Sequence, residues 1–368
     1  MEPVFNGAEL RLARVFNGLA LEEVADQVGK TRQYLHKLET GQAAPTQALL
    51  DDLASVLKVD SSFLTAEPSI MISEDQFHFR KLFTTRAMTK QVAMAHGELV
   101  SRLINYLDQE LRLPEIKIPE VGNARTPEDI ERAAEICRRE WGVGLGPISN
   151  MSRLAENIGA VVTSFAQVSK EIDALSVAVR RPIIVRNEAK TSTCRHRFDI
   201  GHELGHFVLH SGMVTGDRVT ENQANRFASA LLIPRSMMAK LFPKPKGARL
   251  DWLGLREFKL TWKVSKSAIL YRARQLELIS DDQYKTGVIT LRRTGEASGE
   301  KEDHLIPNEE PELLARSLSF LSEKKNISNL DVATKLRVRP DFLSELVGFT
   351  LTNQNDRPPL QRPNLYLV

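Results

Sequence analysis

A chain of 368 residues with 42% apolar content is long enough for two or three domains with real cores. Fifty lysines and arginines against 47 acidic residues leave a net charge of only +3, which excludes a global polyanion-binding surface and leaves local patches. Two cysteines, Cys137 and Cys194, exclude a disulfide scaffold and suit a reducing compartment. No basic start leads into an apolar run, and no apolar stretch approaches a membrane span, so the expectation is a cytoplasmic chain without a membrane partner.

Residues 8–64 read as five short helices. Leu10, Leu12 and Val15 mark the first, and Leu21 to Val28 the second, which Gly29 ends. Thr31 caps the third, Arg32 to Glu39, and Gly41 stops it. Pro45 and Thr46 open the fourth, with Leu49, Leu50, Leu53, Ala54 and Leu57 on one stripe; Ser61 to Leu64 closes the unit. Two short helices joined by a tight glycine turn match a helix-turn-helix over residues 1–66. This segment has six basic and nine acidic residues, so phosphate contact falls to a patch of Lys30, Arg32, His36 and Lys37.

Residues 67–127 read as a connector: helical from Glu74 to Leu111, then extended through Pro114, Pro119, Gly122 and Pro127. The helical stripe of Val92, Ala95, Leu99 and Leu103 suits core packing or a homodimer contact. Helices are expected at 128–141 and 147–158 and a strand at 160–165. The stretch Arg197 to His206 then holds His202-Glu203-Leu204-Gly205-His206, the pattern H-E-x-x-H. On a helix, residues four apart share a face, so both imidazoles reach one ion. Zinc takes neutral His nitrogens and keeps a position open for water, and Glu203 is placed to be the general base. Glu221 to Leu232 reads as a second helix ended by Pro234. Its Glu221 is the third metal ligand, Asn225 on the same face orients a ligating His, and Ala224 with Ala228 forms a small face for close helix approach. His210 reads as a satisfied histidine near the helix end. Cys194 reads as a free thiol. Arg195, His196 and Tyr271 are candidates to polarise a scissile carbonyl.

His-Glu-Leu-Gly-His, followed by Glu221-x-x-Ala-Asn-x-Phe-Ala and Leu-Leu-Ile-Pro, resembles the ImmA/IrrE metallopeptidases. Ile172 to Val177, Pro182 to Val185 and Arg195 to Phe198 add to the likeness, which covers about residues 128–280. Gln223 stands where Glu is also common in that family, which leaves a shifted third ligand open beside Glu221. The resemblance implies a gluzincin-like zinc domain over 128–294, a small sheet packed on the helix with the two His. It also implies cleavage of DNA-binding repressors or antitoxins, to switch on stress, mobile-element or defence genes. The N-terminal unit resembles Xre/Cro-like repressor domains through Ala25, Gly29, Leu35, Leu38-Glu39 and Gly41. Matching its third helix places Arg32, Gln33 and Lys37 at base-reading positions on double-stranded DNA.

Residues 251–279 hold two helices around Val264 to Ser267 that look like another helix-turn-helix. The charged stretch 295–311 reads as a linker, and 312–348 as helical again; Leu330 to Leu336 before Arg337 to Pro340 resembles the start of a helix-turn-helix. The expected fold is therefore mainly α with a small β-sheet (α+β): an all-α N-terminal module, a connector, a peptidase domain, and a linker with a helical C-terminal region at 295–368. The expected function is that of a zinc endopeptidase and regulator acting on a protein substrate. The alternative is a transcription factor or antitoxin whose peptidase-like domain is a sensor or scaffold. An extended substrate would add at the strand edge near 175–179, and flanks on either side could cover it.

Overall fold

The computed structural model describes residues 4–66, 77–79, 87–121, 124–165, 174–177, 181–187, 192–213, 215–247, 249–351 and 366–367. The chain opens with α1 (Gly7–Phe16), α2 (Leu21–Gln27), α3 (Arg32–Glu39) and α4 (Gln47–Val56). Asn6, Thr31 and Thr46 cap α1, α3 and α4 by accepting backbone N–H groups. The expected fifth helix is a run of turns instead, with Phe63 N–H bonded to Asp60 O.

Among its described residues, the connector departs from its helical reading on both sides of one long helix. Phe77–Phe79 forms β1, and the helix is α5 (Ala87–Glu110). Three residues form a strand there because a partner strand supplies the hydrogen bonds. After β2 (Leu111–Arg112), which pairs with β6 (Tyr366–Leu367), come α6 (Pro127–Glu140) and α7 (Met151–Asn157). The sheet follows: β3 (Val161–Phe165), β4 (Ala174–Val177) and β5 (Ile183–Asn187). Its order is β1-β4-β5-β3, with β3 parallel to β5 and the other pairs antiparallel. Beyond it lie α8 (Thr193–Leu209), α9 (Arg218–Leu232), α10 (Arg235–Leu241), α11 (Trp252–Trp262), α12 (Lys266–Gln275) and α13 (Asp281–Arg293). The chain continues through α14 (Leu313–Lys325), α15 (Asn329–Lys335) and α16 (Pro340–Val347).

Strand side chains alternate faces, and this sheet uses both. Val162 and Ile184 join a core with α6 to α9, α11 and α12. Val161, Ile183 and Val185 join a second core with α1 to α5 and α14 to α16. The two ends of the sequence thus meet on one face of the sheet, opposite the H-E-x-x-H helix.

The linker expected at 295–311 is not a solvated connector. Glu296, Glu300, Glu302 and Glu309 are buried. Lys259 Nζ lies 2.6 Å from Glu300 and 2.5 Å from Asp303, Lys266 pairs with Glu296 and with Glu302 at 2.9 Å, and Arg197 pairs with Glu309. The charges that look solvated in sequence meet opposite charges from α8, α11 and α12.

Candidate metal centre

The site begins with two glycines. A Cβ on Gly205 would lie 3.1 Å from the Phe227 ring and 3.2 Å from Ala224 Cα, and one on Gly201 would lie 3.4 Å from Ala228. The small residues of α8 and α9 therefore let the two helices touch along their backbones. Asp217 fixes the start of α9 by accepting from the N–H groups of Val219 and Thr220. Glu221 and Asn225, one turn apart, are then carried onto His202 and His206.

One ligand atom from each of His202, His206 and Glu221 lies within 4.8 Å of the others. The two Nε2 atoms are 3.1 Å apart; Glu221 Oε1 is 3.2 Å from that of His206 and Oε2 is 3.5 Å from that of His202. Neighbours set what those nitrogens carry. His202 Nδ1–H donates to Asn225 Oδ1 at 3.0 Å, which leaves a lone pair on Nε2. Gln223 Nε2 donates to Ala124 O at 3.2 Å, so its Oε1 faces His210 and accepts from His210 Nε2–H at 2.8 Å. His210 Nδ1 is then an acceptor, and His206 Nδ1–H donates to it at 3.0 Å. His206 Nε2 is left with a lone pair as well.

Burial pulls His206 down to about 4, against the hydrogen bond that its protonated form would give Glu221, so this imidazole is neutral at neutral pH. Burial raises the Glu221 carboxyl, and hydrogen bonds from His202 and His206 in their protonated form outweigh that and lower it. Two imidazole nitrogens and one carboxylate that converge on a common point fit a divalent cation. Glu203 sits in the same turn and is buried. The other position considered for the third ligand, Gln223, faces His210 instead.

Residues 155–274 match the family model of the IrrE N-terminal-like domain, a peptidase M78 model. Residues 10–64 match the helix-turn-helix model. The chain thus joins a domain similar to IrrE N-terminal-like peptidases to a helix-turn-helix. No curated protein matches it. The IrrE-like segment spans β3 to β5, α8 to α11 and all but the last residue of α12, and contains the whole His/His/Glu cluster.

The other sequence candidates divide. Arg195 and Tyr271 line a cavity of about 440 Å³ beside α8, whose wall includes Asp199 and Asn225, the partner of His202. His196 is buried, with Nε2 3.3 Å from Asn187 O. Both thiols are buried, and burial pushes Cys137 and Cys194 up to about 12, which makes them inert. In the helix-turn-helix, Arg32, Gln33, His36 and Lys37 share the exposed side of α3, and Arg32 pairs with Glu22 at 2.8 Å. The relay from Gln223 through His210 to His206 escapes a residue-by-residue reading. Its signal is there in the spacing: His210 is one turn beyond His206, and Gln223 follows Glu221 by two.

Proposed function

We propose that the chain is a zinc endopeptidase and transcription regulator that cleaves a DNA-binding repressor or antitoxin. The observation that carries this reading is the pair of Nε2 lone pairs, fixed by Asn225 and by the His210–Gln223 relay, that converge with Glu221 beside a buried Glu203. A zinc ion held by His202, His206 and Glu221 would polarise water and the substrate carbonyl. Glu203 takes the water proton and returns it to the departing amine, so that one carboxylate serves as base and then as acid. Asn225 and His210 hold the two imidazoles in the tautomer that binds metal. Arg195 and Tyr271, on the cavity wall, are placed to meet a substrate side chain or its carbonyl.

The outer edge of β4, where a substrate strand is expected to add, is paired with the chain's own β1 through Phe77–Val177, His78–Ser176 and Phe79–Leu175. A substrate strand using that edge must displace β1. This supports a resting form in which the site is closed until a signal acts. Arg32, Gln33, His36 and Lys37 on α3 bring the enzyme to operator DNA, where a repressor substrate is concentrated.

The experiment is cleavage of a helix-turn-helix repressor from the same transcription unit by the zinc-loaded chain. The expected result is a discrete cut that chelator abolishes and zinc restores. Intact repressor with bound zinc present, across a panel of such repressors and with β1 deleted, would instead favour the sensor reading.

A further inference from the structure

The three C-terminal helices repeat the N-terminal module at a constant spacing in sequence. α2 and α15 each span seven residues, and α3 and α16 each span eight. Buried Val24-Ala25 corresponds to buried Val332-Ala333, Leu35 to Leu343 and Leu38 to Leu346. In α14, Leu318 and Leu321 take the buried places of Leu10 and Ala13 in α1. The backbone repeats too. Gly18 and Gly29 have φ of 68° and 62°, and the matching Asn326 and Arg337 have 55° and 60°. Positive φ is uncommon outside glycine, so its recurrence at both matched turns is a strong sign of the same local fold. Each second helix also opens alike: Glu23 accepts from Ala20 N–H and Asp331 from Ser328 N–H.

The reading face is what differs. Arg32, Gln33, His36 and Lys37 of α3 correspond to Pro340, Asp341, Ser344 and Glu345 of α16. Two of these four are carboxylates, which DNA phosphates repel. The helix is also turned towards protein. Phe342 stacks on Phe16 of α1 with ring centroids 4.3 Å apart, and Glu345 pairs with Lys58 at 2.5 Å. Asp60 N–H donates to Arg337 O at 2.9 Å and Arg339 N–H to Lys58 O at 3.0 Å, framing a Val59–Val338 bridge. At its other end, α16 closes on β3: a Cβ on Gly348 would lie 2.9 Å from Ser164 O.

We infer that residues 313–348 are a second helix-turn-helix unit that does not read DNA but is the built-in docking partner of the first, joining it to the peptidase sheet. The docking half stands whether or not α3 reads DNA. The Val59–Val338 pair lies between its two hydrogen bonds rather than on them, the arrangement in which Cα atoms approach to about 4.5 Å, within disulfide reach. Both native thiols are buried and do not compete.

The test is the full chain carrying Val59→Cys and Val338→Cys, oxidised, with a mixed-sequence DNA duplex as probe in an anisotropy titration. The expected result is a cross-link within one chain, seen on a non-reducing gel, with DNA affinity within about twofold of the reduced form. Asp341→Ala with Ser344→Ala should also leave affinity unchanged, whereas Lys37→Ala should weaken it about tenfold and lower the salt slope by about one. Failure to cross-link, cross-links only between chains, or a tenfold loss of affinity on oxidation overturns the docking. A changed affinity or base preference in the Asp341/Ser344 variant overturns the silence of α16. If the wild-type chain gives no saturable titration, the DNA-reading proposal fails, and the cross-link still decides the docking.

Discussion

Helix α8 contributes to two charge clusters that obey opposite rules. In one, Lys259 and Lys266 meet Glu296, Glu300, Glu302 and Asp303, while Arg197 of α8 itself meets Glu309. Every cation there has a carboxylate in direct contact, so each positive charge is answered within the chain. In the other, His202, His206 and Glu221 bring only electron pairs to a common point. The first cluster is complete and holds a segment in place. The second is a donor set that a divalent cation would complete, the kind of metal that an IrrE-like peptidase domain implies. Burial and charge alone do not tell the two apart; the identity of the facing atoms does.

The sharpest test is Glu203→Gln. The amide nearly preserves shape and cannot accept a proton at neutral pH, so repressor cleavage should fall by about a hundred- to ten-thousand-fold. Zinc content, measured on the purified protein, should stay at the wild-type level because Glu203 is not one of the three converging donors. Wild-type cleavage by this variant would remove Glu203 as the base. Loss of zinc would show that it belongs to the ligand set.

The opposite cluster should respond in stability and not in metal. Lys259→Met keeps the apolar stem and deletes a fully buried ammonium that Glu300 and Asp303 both contact. Removing one partner of a buried pair costs about 3–5 kcal/mol, because the carboxylates stay buried without their cation. Urea unfolding should register that loss, while zinc per folded molecule is unchanged. Unaltered stability with lost zinc would break the comparison.

Glu156 gives a third case, a buried carboxylate held by backbone N–H groups of Glu312 and Leu313 at the start of α14. Burial pushes it up from 4.5 to about 7, against the pull of those N–H groups. The folded protein therefore holds this proton more tightly than the unfolded chain. Its contribution is full below pH 4.5 and is lost as pH rises towards 7, on the order of 3 kcal/mol. The difference in unfolding free energy between wild type and Glu156→Gln should change by about that amount between pH 4.5 and 8. A difference that is flat with pH would mean that the carboxyl titrates normally.

What the sequence made legible was local. The spacing of His202, Glu203 and His206, the Glu221/Asn225 face and the Ala224/Ala228 face are all helical periodicity, and the structure brings those residues together as that periodicity requires. The early helices were legible from Thr31, Thr46 and Gly29 for the same reason. The illegible parts depend on distant partners. Phe77–Phe79 is a strand because β4 pairs with it almost a hundred residues on. Glu296 and Glu300 are buried because lysines some 30 to 40 residues earlier fold over them. The second helix-turn-helix kept its buried positions but carries Asp341 and Glu345 on its reading face, which removes the basic signal by which such units are recognised.

The finest distinction between the clusters lies in the proton on His206. Gln223 is held by Ala124, His210 by Gln223, and His206 by His210, so the lone pair at the metal position is set three residues away. Gln223→Ala releases His210 to either tautomer, and His210→Ala frees His206 to rotate. Partners of this kind are typically worth 10- to 100-fold in metal affinity. Zinc competition against a chromophoric chelator should place both variants in that range, with Gln223→Ala the milder because His210 still touches His206. Gln223→Glu is the informative control: it keeps an oxygen facing His210 and gives up the bond to Ala124 O, so it should retain more affinity than Gln223→Ala. Equal zinc affinity in wild type and both alanine variants would mean that His206 finds its tautomer without help. The site would then rest on His202, His206 and Glu221 alone.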